Sequence, residues 1–312
     1  MAVRMDTARR RRSWCTSPRR RQEVIAGYLG VLPWVLGFGL FTIGPMLFSI
    51  GIIFTDWAIV REPSFIGFGN FVTAGKDPLF WKSLYNTAWI TVFTVPVSLV
   101  VSMFLAILVN NKLKGINLFR TVFYLPSQTP AVAGAILWLW LLQPQYGLIN
   151  GLLDQLHLPR QSFLVDTNWS KMIFVVIGIW GTGAGMLIYL AGLSGIPRTM
   201  YEAASIDGAN WIARLRHVTL PMLTPVIFFN LILGIIGSMQ GGFTQALLIT
   251  EGGPLNSTLV FILYLWRNGF EYFDMGYAAL LAWILFAIIL LITLANFKLS
   301  GRWVHYEGEL TK

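Results

Sequence analysis

Six long runs of the chain carry no charged side chain: residues 24–55, 83–111, 121–153, 172–197, 217–250 and 275–297. Each supplies the roughly 20 apolar residues that a helix rising about 1.5 Å per residue needs to cross a hydrocarbon layer about 30 Å thick. The pattern predicts an all-α, polytopic membrane protein with six transmembrane helices. The third and fifth runs exceed one crossing. Pro126, Pro130, Pro144, Pro221 and Pro225 predict interfacial turns or short surface helices toward their ends.

Polar positions inside the runs are few and uncharged. On one helix at 100° per residue, Asn230, Gly234, Gly237, Ser238, Gly241, Thr244 and Gln245 share a face, opposite Phe228, Ile232, Ile235, Ile236, Met239 and Phe243. Two readings fit this stripe: close packing through small residues, or the wall of a polar path lined by Ser238, Gln240 and Gln245. Run 4 contains "IWGTGAGMLIY", in which three glycines weaken the helix beside Thr182. A bend there either brings Trp180 and Thr182 to the same path or simply allows close packing, since irregular backbone at this depth is tolerated only when buried in protein or lining a cavity.

Charge sets the expected orientation. Residues 1–23 hold eight arginines against Asp6 and Glu23; the tail and the loops after runs 2, 4 and 6 together carry 17 Lys and Arg, against 6 in the other loops. Cytoplasmic segments retain the Lys/Arg excess, so both termini are expected inside. The chain then divides into a disordered basic tail (1–23), a six-helix membrane unit (24–300) and a cytoplasmic C-terminal segment (301–312). The arginine cluster directly precedes an apolar run, which makes it a membrane-orienting tail and not a nucleic-acid site. The first run is too long for a secretory signal and is expected to remain as a span. The lone Cys15 excludes an intrachain disulfide or a thiolate metal cluster.

With only 12% charged residues and none inside a run, the chain lacks the intramembrane carboxylates that ion-coupled carriers use. The phosphate-loop lookalike "GNFVTAGKD" (69–77) has five residues between its glycines and Asp77 where a Ser or Thr belongs, and "GTGAGM" (181–186) does not fit a dinucleotide fingerprint. No catalytic constellation, cofactor site or metal site is expected. Energy for uphill transport would have to come from another subunit.

One polar interruption stands out: "YEAASIDGANWIARLRHVTLPM", residues 201–222, on the expected cytoplasmic side. Pro197 suits a helix start, Glu202, Ala203 and Ala204 favour helix, and Gly208 permits a left-handed corner before a second helix near Ala209. Small residues at the corner let a partner's backbone approach. Glu202 and Asp207 offer anionic contacts, and Arg214 and Arg216 face either membrane lipid headgroups or the chain itself. The alternative is an amphipathic surface helix without a partner.

Glu202-Ala203-Ala204, three residues, Gly208, nine residues, Val218, one residue, then Leu220-Pro221 resembles the EAA loop of ABC importer permeases, with Val218 where Ile is usual. "YEAASIDGA" and "TLP" are similar to the carbohydrate branch, of maltose and glycerol-3-phosphate type. Further support comes from "FIGFGNF", "NTAWITVFTVPVSLV", "FRTVFYLP", "ITEGGPLNSTLVFILYLW" and "MGYAALLAW". The resemblance covers most of the chain after the tail. It implies a type I ABC importer permease fold in the bacterial inner membrane, with the loop 197–221 as coupling element. Glu202, Ala203, Ala204, Asp207, Gly208, Leu220 and Pro221 would engage a cytoplasmic ATP-binding subunit dimer that holds ATP and Mg. It further implies a second permease chain and an extracytoplasmic solute-binding protein. The expected cargo is a sugar or oligosaccharide, with a glycerophosphate as the alternative. An ion-coupled carrier acting alone and a membrane enzyme or scaffold are the competing classes.

Overall fold

The computed structural model describes residues 18–59, 61–111 and 114–304. Expectations for the tail before residue 18, for Cys15 and for residues 305–312 lie outside the described residues. The described residues are helical almost throughout; β-structure among them is limited to isolated bridges, Thr55 with Phe65 and Ala58 with Asp274.

Among the described residues, four helical runs are long and apolar enough to cross a membrane: α1 (Arg21–Ile52), α3 (Pro78–Val109), α10 (Trp211–Thr250) and α12 (Met275–Ser300). Two bent pairs complete six when each is counted as one span. Between α1 and α3 lies the short α2 (Gly69–Lys76). It is the phosphate-loop lookalike, folded as a helix whose Asn70 amide donates to Ile53 O at 2.7 Å and Thr55 O at 2.9 Å.

The third run is not one straight crossing. It consists of α4 (Ile116–Gln128) and α5 (Ala131–Leu141), which meet at 97°. Thr129 is extended with ψ 127°, as a residue before proline must be, and Pro130 caps α5. The end of the expected run, to residue 153, turns away into α6 (Leu148–Gln155). Run 4 divides at Gly181 and Thr182 into α7 (Thr167–Trp180) and α8 (Gly183–Gly195), bent by 43°. Run 5 begins earlier than its apolar boundary, because the second helix of the polar interruption continues into the bilayer helix. It breaks again at Gly241-Gly242, where Gly242 takes φ +79°. Gln245 therefore does not share a continuous helix with Asn230.

α3 is the axis of the fold, packed against α7, α8 and α10. Asp77 caps it by accepting from Leu79 N at 2.8 Å, and Pro78 occupies its first turn, where a missing N–H is harmless. Buried apolar side chains form three clusters. One joins Phe80 and Ile90 of α3 to Phe261 and Leu263 of α11 (Phe261–Trp266), Leu281 of α12 and neighbours. A second, at the other end, joins Ala106 and Val109 of α3 to Met186, Tyr189 and Leu223. The third holds Trp138 of α5 and Ile173 of α7. α1 leaves most of its large apolar side chains exposed and meets α12 only near its end, where Trp283 Nε1 donates to Ser49 Oγ at 3.0 Å.

Candidate functional site

A cavity of about 610 Å³ opens between α3, the α7/α8 bend and α10. This lies in the range of small-molecule sites, about 300–1,000 Å³. No charged side chain lines it. Its polar groups come from three elements: Thr87, Thr94, Ser98 and Ser102 of α3, Thr182 at the bend, and Asn230, Ser238 and Gln245 of α10.

The α3 contribution is a ladder. With Thr91, which sits behind the wall, the hydroxyl residues fall at 87, 91, 94, 98 and 102, the three- and four-residue steps that keep one face of a helix. From first to last the ladder rises about 22 Å, most of the hydrocarbon thickness. Three of its members meet neighbouring elements. Thr87 Oγ1 accepts from Phe261 N at 2.8 Å, Thr91 Oγ1 accepts from Ser238 Oγ at 2.9 Å, and Ser102 Oγ donates to Ser98 O at 2.5 Å while lying 3.3 Å from Thr182 O. Asn230, buried in the wall, donates to Val226 O at 3.0 Å, leaving its carbonyl for other partners.

The path residues expected from sequence separate here. Thr182, Ser238 and Gln245 line the cavity. Trp180 does not: its ring packs edge-on against Trp138 at 5.8 Å, in the third cluster. Gln240 is exposed and off the cavity wall, because the break at Gly241 ends the helix there and turns the following residues. Sequence reasoning missed the α3 ladder. Its signal is the hydroxyl spacing in "NTAWITVFTVPVSLVVS", yet Ser and Thr in an apolar helix commonly bond back to their own backbone, so spacing alone does not separate a wall from packing.

At one end of the bundle the polar interruption folds as α9 (Arg198–Ile206), a corner, and the start of α10. Gly208 takes φ +77°. Ala209 N donates to Ala204 O at 2.9 Å and Gly208 N to Ser205 O at 3.1 Å, the paired bonds of a Schellman C-cap. Asn210 then caps α10 by accepting from Ala213 N at 2.9 Å. The unit is fastened to the core by Tyr201 Oη with Thr219 Oγ1 at 3.0 Å and by Tyr201 and Ala204 packed on the second cluster. Glu202, Ala203, Asp207 and Gly208 are exposed, Ala204 half-buried, and Leu220 and Pro221 half-buried where α10 enters the bundle. Arg214 turns back on the chain, donating to Ser205 Oγ at 3.3 Å. Sequence spacing also missed the apolar corner made by Ile206 (87% exposed), Trp211 (61%) and Ile212 (65%).

At the opposite end, residues 251–260 are held against α3. Asn86 Nδ2 donates to Asn256 O at 2.8 Å and Leu259 O at 3.0 Å, and Ser170 Oγ meets Ser257 Oγ at 3.0 Å. Tyr264 and Tyr277 both donate to the Asp77 carboxylate, Tyr277 at 3.0 Å. Burial, reinforced by that carboxylate, pushes the Tyr264 phenol up to about 12. Among the described residues no group of three or more His, Cys, Asp or Glu is placed to hold a metal.

A bent helix pair around a broken-helix cavity, joined to a capped lever, defines a membrane transport subunit, and the comparisons give the family. Residues 98–304 match the family described as binding-protein-dependent transport system inner membrane component, and the chain belongs to it. It is 41% identical over 294 residues to the probable ABC transporter permease protein YesP of Bacillus subtilis, covering 93% of this chain and 94% of that one. It is 35% identical over 287 residues to the arabinooligosaccharides transport system permease protein AraP of the same organism, covering 91% and 90%. A crystal structure of a bacterial ABC transporter involved in the import of the acidic polysaccharide alginate contains a chain with the same fold, with TM-score 0.81 and 25% identity over 92% of this chain and 99% of that one. The fold is that of a type I ABC importer permease.

Proposed function

We propose that this chain is one of two permease subunits of an ATP-driven, binding-protein-dependent importer of a neutral sugar or oligosaccharide. The single observation that carries this is the cavity: it spans much of the bundle, sets hydroxyl and amide groups into an otherwise apolar wall, and has no charge in its lining. Hydroxyl and amide groups exchange hydrogen bonds with a polyol as water does, while a phosphate in the same place would lose hydration with no cation to replace it. That weighs against glycerol-3-phosphate. The arabinooligosaccharide relative supports a saccharide cargo.

The lever supplies the energy link. Its exposed Glu202, Ala203, Asp207 and Gly208, with the apolar corner of Ile206, Trp211 and Ile212, would seat in a cleft of a cytoplasmic ATP-binding subunit that carries ATP and Mg. Because the Schellman corner and the Tyr201–Thr219 contact make the unit stiff, closure of the ATP-binding dimer would move α8 and α10 as a body and change which end of the cavity is open. The Lys/Arg distribution supports cytoplasmic termini, which puts the 251–274 loop on the side of the solute-binding protein.

Proteoliposome uptake tests the reading. The chain with its second permease, ATP-binding subunits and binding protein is expected to accumulate labelled arabinotriose only when Mg-ATP is supplied, and not to accumulate sn-glycerol-3-phosphate. Uphill uptake by this chain alone without nucleotide would sink the proposal.

A further inference from the structure

A second cavity, of about 220 Å³, lies where the lever meets the end of α3. Asn110 and Asn111, at the end of α3, line one side, and Tyr201 of α9 and Arg214 of α10 the other; Ile107 and Leu193 give it an apolar wall. No carboxylate is in the lining. The apolar run of α3 ends at residue 111, so the cavity stands at the boundary between hydrocarbon and water, on the side expected to be cytoplasmic from the Lys/Arg distribution.

The charge in this cavity is uncompensated. Arg214 is half-buried, forms no ion pair among the described residues, and gives one N–H to the neutral Ser205 Oγ at 3.3 Å. A guanidinium stays protonated and has further donors to offer. On the α3 side the Asn110 amide has no hydrogen-bond partner among the described residues, while Asn111 gives one N–H to Leu108 O at 3.1 Å. The Tyr201 and Thr219 hydroxyls satisfy each other. The open groups are therefore mainly donors around one positive charge. A phosphate carries oxygens in several directions, enough to meet a guanidinium on one side and carboxamides on the other; a planar carboxylate reaches only one side.

We infer that this cavity is a site for a phosphate ester, bridged between Arg214 of the lever and Asn110 and Asn111 of α3, and that its occupation restrains the lever. α9 and the start of α10 form one side of the seam and α3 the other, so a ligand bonded to both resists their parting. The site stands on geometry; the restraint rests on the lever reading given above. Two sources share this chemistry: a phospholipid headgroup of the adjacent leaflet, since basic pockets between transmembrane helices on the cytoplasmic side hold such groups, and a soluble sugar phosphate. The volume lies below the range of about 300–1,000 Å³ for whole small-molecule ligands, which suits a headgroup or one phosphorylated sugar unit and excludes an oligosaccharide.

Binding is measured on the full-length chain with its permease partner in phosphatidylcholine nanodiscs, where choline already neutralises the lipid phosphate. The ATP-binding subunit is left out, because its nucleotide site would itself take phosphate. In the lipid arm phosphatidylglycerol is added to the discs, and lipid retained by the released protein is weighed by native mass spectrometry. In the soluble arm glucose 6-phosphate is titrated calorimetrically into plain discs, with glucose as control. Wild type is expected to retain phosphatidylglycerol or to bind glucose 6-phosphate, and the arm that responds names the source. Arg214→Gln should weaken that binding about 10- to 100-fold, the worth of a hydrogen bond to a charged group. Arg216→Gln removes the same charge from an exposed position outside the lining and should stay near wild type. Asn110→Asp, at an exposed position, keeps Arg214 and should also weaken binding by bringing a carboxylate into the wall. No binding in either arm, or equal loss in Arg214→Gln and Arg216→Gln, overturns the site. In the full complex the ligand is expected to lower binding-protein-stimulated ATP hydrolysis in wild type and not in Arg214→Gln; equal rates with and without it overturn the restraint. A wild type without stimulated ATP hydrolysis sinks the importer reading, and the binding arms still decide the site.

Discussion

Replacing Gly208 isolates backbone handedness from side-chain bulk at the corner of the lever. Nothing lies within 4 Å of a Cβ built at this position, so a new side chain meets open space. The whole cost arises from φ +77°, the left-handed region. For an ordinary residue that costs about 1–2 kcal/mol, less for asparagine and more for a β-branched residue. If the ATP-binding subunit engages only the bent lever, its affinity for the permease falls in proportion, about 5- to 30-fold for Gly208→Ala. The expected order is Gly, then Asn, then Ala, then Val. Affinity of the purified permease pair for the ATP-binding subunit reads this directly, and binding-protein-stimulated ATP hydrolysis follows it. Membrane insertion should be unchanged, since no span is touched. If valine couples as well as asparagine, left-handed geometry is not what the corner supplies, and the lever argument fails.

Four further outcomes follow from the packing. Gly183→Ala places a Cβ 2.3 Å from Phe123 O and 2.8 Å from Tyr124 Cα, both backbone, so it should destabilise the complex by about 1–3 kcal/mol or more; Gly195→Ala, with nothing within 4 Å, should leave the melting temperature in detergent unchanged. Asp77→Ala strips two tyrosine hydroxyls of their acceptor and should cost about 2–4 kcal/mol, seen as a lower Tm, with Asp77→Asn milder. Arg160→Ala removes an exposed ion pair with Asp154 at 2.6 Å and should shift Tm little, because solvent screens such a pair and the ordering of two side chains offsets its attraction. Tyr264 has a folded pKa raised to about 12 from 10.0, so its contribution is complete below pH 10 and is lost as pH rises toward 12. Absorbance at 295 nm should show a late-titrating tyrosine that Tyr264→Phe removes; a titration near 10 for that residue would contradict its burial.

The apolar runs determined the membrane class and the span count, because charge is expelled from hydrocarbon whatever the tertiary arrangement. The lever was equally legible: Glu202 to Ala204 favour helix, Gly208 allows the corner, and both are local properties of the backbone. Local chemistry also indicated the bend at Gly181–Thr182 and trouble at Pro126 and Pro130, though not the 97° between α4 and α5, which the packing of neighbouring helices sets.

The cavity wall belongs to tertiary structure. Trp180 and Thr182 are two residues apart, yet the helix break sends one into the α5–α7 contact and the other to the cavity. The ladder on α3 was present as spacing, but whether a threonine bonds backward, across to Ser238, or to nothing depends on which helix faces it. Gly178 packs over the Thr94 side chain, and residues 84 positions apart meet only when the bundle closes. Sequence limits what each residue can do in a bilayer, whereas the approach of one helix to another selects the groups that remain free to meet a solute.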